Sequence, residues 1–153
     1  MTPQNYIISQ LKELKSENYS DINFATQKEL LGFIYKAVLA KKFRKFSVTS
    51  EYLQHIRNAI ENSVKNNLPI KFVFPFGAYK LWRLEETPEA DWAELFTLMY
   101  YAKWLKPIAQ AYQPGVWFDF SSDEIIVERM NNIPQNDTES YAKTFNMVIT
   151  FLK

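Results

Sequence analysis

Phe72-Val73-Phe74-Pro75-Phe76-Gly77-Ala78-Tyr79-Lys80-Leu81-Trp82-Arg83 reads as an apolar strand that breaks into a turn carrying two cations. The apolar run begins at Ile70, after Pro69, and stops at Phe76 before Gly77, which predicts a buried strand over 70–76. Further on, Gly115-Val116-Trp117-Phe118-Asp119-Phe120 predicts a second strand over 116–120. It is entered through the turn Gln113-Pro114-Gly115 and left through Ser121-Ser122-Asp123-Glu124. Between the two lies a helical run from Trp92 to about Tyr112, with Asp91 as its cap and Glu94 at the third helical position. Strand, long helix, strand is the βαβ arrangement of parallel strands. The fold class is therefore α/β: helix-rich, with a small parallel sheet and helices packed on it. Two clear strands make this an incomplete Rossmann-like domain or a small helical protein with a minor sheet.

The flanks read as helices. Tyr6, Ile7, Leu11 and Leu14 have helical spacing, and 16–23 is a polar loop. A second helix is expected from about Thr26 to Lys45, opened by Thr26 and Glu29 as a capping box. Thr49 or Ser50 caps a third, whose inner face is Leu53, Ile56, Ile60 and Val64 and which ends near Asn66-Asn67. In the long helix Leu95, Phe96, Leu98, Met99, Tyr101, Leu105 and Ile108 cover more than one stripe, so burial on several sides is expected, with a kink at Pro107. Residues 84–90 read as a loop. Residues 123–131 fit either a helix or a short strand, 133–136 a loop, and Thr138–Leu152 a last helix with Tyr141, Phe145, Val148, Ile149 and Leu152 inward.

Size and composition narrow the function classes. The chain has 153 residues, which suits one domain over 1–153 or the N-terminal portion of a longer protein. Apolar residues are 47% and aromatics 16%, ordinary for a globular protein but rich in planar side chains. With 18 basic and 17 acidic residues, no net field favours nucleic acid or an acidic membrane. The absence of cysteine excludes disulfides and thiolate metal sites, and a single histidine, His55, excludes a histidine-rich zinc centre. No cofactor is expected. No apolar run approaches the roughly 20 residues of a spanning helix, and the polar start Met1-Thr2-Pro3-Gln4-Asn5 does not resemble a leader, so a cytoplasmic location is expected.

Three clusters carry chemistry. Lys80 and Arg83 follow a strand end, where α/β proteins bind ligands, and together they suit a phosphate or carboxylate. Gly77 lets the backbone turn there. The plainer reading is a solvated pair beside Trp82, bonded to Glu85 or Glu86. Asp119, Asp123, Glu124 and Glu128 surround the exit of the second strand. Asp119 and Asp123 are the candidates for orienting an amine or moving a proton, whereas Glu124 and Glu128 fit ordinary helix capping. Asp119 is either exposed on one strand face or a paired, buried carboxylate. The run Lys36, Lys41, Lys42, Arg44 and Lys45, interleaved with Phe43 and Phe46, fits a solvated helix end better than a nucleic-acid surface. The Gly-x-Ser-x-Gly, Gly-x-Gly-x-x-Gly and Gly-Lys-Ser/Thr motifs are missing from the sequence.

The middle of the chain resembles the isocyanide (isonitrile) synthase family, related to pyoverdine and dityrosine biosynthesis proteins. The resemblance runs through Phe74-Pro75-Phe76 with Lys80, Asp91-Trp92-Ala93-Glu94, Tyr112-Gln113-Pro114-Gly115, Val116–Phe120, Ser122-Asp123 and Tyr141, and covers Ile70 to Tyr141. Glu124 stands where the family has glycine. The resemblance implies an α/β protein that joins an amino acid's nitrogen to a sugar-phosphate carbon. Lys80 would lie near the anionic substrate and Asp123 near the pocket mouth. It also implies that the chain is an N-terminal portion, missing its C-terminal domain. Two readings result: an α/β domain of a biosynthetic enzyme that binds an amino acid or sugar phosphate, or a non-catalytic, partner-docking or homo-oligomeric domain with aromatic surfaces around Trp92, Trp104 and Trp117.

Overall fold

The computed structural model of the chain describes residues 2–43, 47–75, 90, 92–121, 129 and 132–152. Helix α1 spans Pro3–Ser16, α2 Gln27–Val38, a 3-10 turn Lys41–Phe43, α3 Ser50–Lys65, β1 Ile70–Pro75, α4 Trp92–Ala111, β2 Val116–Ser121 and α5 Gln135–Leu152. The expected α/β class holds in its coarse form: helices dominate, and β1 and β2 pair in a two-stranded parallel sheet joined through α4. The expected cap at Asp91, residues 84–89 of the expected loop and almost all of 123–131 lie outside the described residues.

Local chemistry sets the helix starts. The Thr2 hydroxyl accepts from Asn5 N–H at 3.3 Å, with Pro3 as the first helical residue. The Thr26 hydroxyl accepts from Glu29 N–H at 3.2 Å, while the Glu29 carboxylate returns to Ala25 N–H at 3.0 Å. The cap is thus close to the expected box, with the return bond one residue further out. Thr49 takes the cap position of α3 but makes no side-chain capping bond.

Two helix boundaries differ from expectation. Helix α2 stops at Val38 rather than near Lys45. The Ala37 carbonyl, which a continuing helix would use, accepts the Trp104 indole N–H at 3.2 Å. Beyond it the backbone tightens to three-residue bonds, Ala40 N–H to Ala37 O and Phe43 N–H to Ala40 O. Helix α5 begins at Gln135, inside the expected loop, because the Pro134 carbonyl accepts from Asp137 N–H at 3.0 Å and from Thr138 N–H at 3.4 Å. Its first turn therefore precedes the Thr138 start read from the sequence.

The end of α3 is a Schellman motif. Leu68 N–H bonds to Ser63 O at 2.9 Å and Asn67 N–H to Val64 O at 3.2 Å, with Asn67 left-handed at φ 53°. The buried Tyr112 hydroxyl donates to Leu68 O at 2.9 Å and lies 3.3 Å from Ser63 O, which fastens this turn to the end of α4. Gly115, at φ 72°, closes the turn into β2, and its carbonyl receives Ile70 N–H at 3.1 Å. That bond sets the parallel register, with Ile70 opposite Val116. Along β1, buried Ile70 and half-buried Phe72 and Phe74 alternate with exposed Lys71 and Val73. Along β2, Val116 and Phe118 alternate with exposed Trp117 and Asp119.

The chain divides into two compact units, Met1–Phe72 with Tyr101–Trp117, and Val73–Tyr100 with Phe118–Lys153. The first is centred on Ile34 and Ile108, both fully buried, with Ile7, Ile60, Val64, Leu105 and Tyr112 around them. There the Trp104 ring meets Phe72 edge-on (5.3 Å) and lies tilted against Tyr101 (6.3 Å) and Phe43 (6.5 Å). Trp104 is thus half-buried among aromatic rings, whereas Trp92 and Trp117 are exposed. Leu53 and Ile56 are only half-buried at the inner face of α3, where Ile60 and Val64 carry the burial. In the second unit Leu95, Leu98, Met99, Ile133 and Tyr141 are buried, and Glu94 and Thr138 are buried with them.

Candidate functional site

Glu94 sits in the first turn of α4, on the face that also buries Leu95 and Leu98. Only 5% of it is exposed. Its Oε1 accepts the hydroxyl of Tyr141, on α5, at 3.2 Å. Withdrawing a carboxylate from water is unfavourable unless hydrogen bonds and charge offset it, so this one is held for a structural or a chemical reason. Tyr141 is itself buried, and its ring stacks on Phe145 at 6.1 Å with an 11° interplanar angle. Thr138 lies one turn earlier on the same face of α5 and is also buried. Its hydroxyl is the one buried side-chain oxygen among the described residues that has no hydrogen-bond partner. A bonded carboxylate and phenol, and one helical turn from the phenol an unpartnered hydroxyl, are thus buried in the second unit.

Two further contacts lie in the same unit. Thr144, a turn further along α5, accepts Ala90 N–H at 2.8 Å and so ties the chain two residues before α4 to α5. The rings of Phe74 and Phe118, near the carboxyl ends of β1 and β2, lie 6.4 Å apart. Because the strands are parallel, both carboxyl ends leave the sheet at one edge.

The residues picked out by sequence fall differently. Asp119 is exposed on β2, because strand alternation turns Phe118 inward and Asp119 outward; the buried, paired alternative for it does not hold. Asp123, Lys80, Arg83 and Gly77 lie outside the described residues. Glu94 and Tyr141 stand in the sequence reading as a first-turn acid and an inward helix residue, and as members of two motifs of the resemblance, but not as a pair. The available signal was an acidic residue at a position flanked by the apolar face of its helix.

The first unit holds the described ion pair. Lys103 Nζ meets Glu13 Oε1 at 2.6 Å, and this bond and charge lower the Glu13 carboxyl below its ordinary range. Lys106, one turn on, donates to the Leu14 carbonyl, and Gln110 accepts Tyr19 N–H at 3.1 Å. These three side chains dock α4 on the end of α1 and the loop after it. Between α2 and α3 the Tyr35 hydroxyl donates to Glu61 Oε1 at 2.7 Å; burial first and this bond second push the phenol up to about 12. Of the basic run, Lys36 on α2 and Lys41 and Lys42 beyond its end are exposed, and Lys42 lies over the Phe43 ring at 4.9 Å, while Arg44 and Lys45 lie outside the described residues. His55 is exposed on α3.

Among the described residues no three His, Asp or Glu side chains cluster to hold a metal ion, and no helix is long and apolar enough to cross a membrane. No protein-family model, curated protein or solved structure matches this chain.

Proposed function

We propose that this chain is the ligand-binding α/β portion of a biosynthetic enzyme resembling isonitrile synthases, taking an amino acid or a sugar phosphate. The supporting observation is the buried Glu94 carboxylate, bonded by Tyr141, in the unit that also holds the carboxyl ends of both strands. Glu94 and Tyr141 belong to two separate motifs of the resemblance, 47 residues apart, and they meet. Ligands of open parallel sheets bind beyond the carboxyl ends of the strands, and an incomplete Rossmann-like sheet keeps that edge. In this reading Lys80 and Arg83, in the segment after β1, clamp the anionic group, with Gly77 giving the turn. Asp119 and Asp123 orient the amine. The test is thermal denaturation with tyrosine, tryptophan and a pentose phosphate. Binding to the folded state raises the melting temperature by mass action. The double variant Lys80→Ala/Arg83→Ala should abolish the rise. No rise with any of these ligands sinks the reading.

A second reading is favoured by Trp117, which is 59% exposed on a strand of the parallel sheet. Parallel sheets are otherwise covered on both faces, and two strands fall short of the roughly three needed for an independent sheet. On this reading the chain is a non-catalytic interaction domain, and a second copy supplies two more strands. Sedimentation velocity over a concentration series should then show dimer formation that Trp117→Ser removes. A monomer at every concentration rejects it.

A further inference from the structure

The first unit contains an open hollow of about 380 Å³, bounded by the loop before α2, the first turn of α2, and the ends of α3 and α4. That volume is within the ~300–1,000 Å³ of small-molecule pockets. Its base is apolar: Val64 and Tyr112 are buried, and Phe24 is braced against Phe33 with ring centroids 5.3 Å apart. The Tyr112 phenol proton is already committed to the Leu68 carbonyl, so the base offers little as a donor. The rim carries three primary amides, Asn23, Gln27 and Asn67, and none of these side chains has a hydrogen-bond partner among the described residues. Among the described residues no charged side chain lines the hollow.

We propose that this hollow binds a small neutral molecule with an apolar ring and an amide-like edge that both donates and accepts hydrogen bonds. Each primary amide brings two donors and one acceptor, so three of them satisfy both sides of such an edge. An ionised ligand would give up its water over an apolar base with no counter-charge, and this selects against it. Asn67 is held at the rim by its left-handed place after α3, and Gln27 by the first turn of α2, so the amides are presented from fixed backbone. The site is independent of the strand-edge reading, since it lies wholly in the first unit.

Benzamide, benzoate and benzylamine share one ring and differ in charge, and side-chain amide resonances in a nitrogen–proton correlation spectrum report on all three. Benzamide at millimolar concentration should shift the Asn23, Gln27 and Asn67 side-chain signals saturably, with benzoate and benzylamine far weaker. The double variant Gln27→Ala/Asn67→Gly, which leaves both backbone positions permissive, should weaken benzamide about tenfold, the equivalent of about 1.4 kcal/mol. Equal shifts from benzoate would make the site an anion site at the start of α2 and overturn the proposal. So would the absence of saturable shifts with benzamide, or unchanged affinity in the double variant.

Discussion

The Tyr141 hydroxyl donates to Glu94 Oε1 at 3.2 Å, joining the first turn of α4 to the second turn of α5 where both side chains are buried. Tyr141→Phe keeps the ring stack on Phe145 and removes one donor from a buried carboxylate. The loss is expected to be about 1–3 kcal/mol, the range for leaving a buried acceptor short of a partner. Urea denaturation reads it as a lower midpoint at unchanged slope. An unaltered midpoint means the bond contributes nothing to the folded state.

Thr138 should behave in the opposite way. Its hydroxyl is buried with no partner, so Thr138→Val replaces an unsatisfied polar atom with a methyl of similar size. The variant is expected to be as stable as the native chain or up to about 1 kcal/mol more stable. Thr144→Val is the control, since its hydroxyl accepts Ala90 N–H at 2.8 Å and its loss should destabilise by about 1 kcal/mol. If both variants fall together in a thermal melt, the Thr138 hydroxyl has a partner after all.

The strands and the long helix were legible because their signals are local. Pro69 and the apolar run mark the start of β1, and Gln113-Pro114-Gly115 marks the turn before β2. Strand parity alone puts Asp119 on the face opposite Phe118, but parity does not say which face is covered. The end of α2 was not legible, because the group that takes the Ala37 carbonyl is Trp104, 67 residues away. The pairing of Glu94 with Tyr141, 47 residues apart, was not legible for the same reason. A hydrogen bond between helices depends on how they pack, and no periodicity encodes it. The amide-rimmed hollow is likewise assembled from three separate segments, each of which reads as an ordinary cap, loop or helix end.

Tyr35 sets a pH dependence. Burial first, and then the bond to Glu61, raise its phenol from 10.0 to about 12, while the Arg57 cation acts weakly the other way. Between these values the folded chain keeps a proton that the unfolded chain has lost. Stability from this group is therefore complete below about pH 10 and drains away as pH rises toward about 12. A difference absorbance titration of the native chain against Tyr35→Phe should show a phenolate step near the upper value. Glu61→Gln should move that step down. A step at the ordinary tyrosine value would show that neither burial nor Glu61 acts on this hydroxyl.

Asn67 closes α3 with φ at 53°, a backbone region that a Cβ disfavours and that glycine enters freely. Its N–H and that of Leu68 make the two bonds of the Schellman turn, so the conformation is fixed by the helix end and not by the side chain. Asn67→Gly should therefore leave stability unchanged or slightly raised, whereas Asn67→Ala should lower it by about 1 kcal/mol. The two variants differ by one methyl group at an exposed position, so burial does not separate them. Thermal denaturation of the pair checks the prediction directly. Equal melting temperatures would mean that the alanine chain escapes the left-handed turn at no cost, which the Tyr112 hydroxyl, fixed to Leu68 O at 2.9 Å, should prevent.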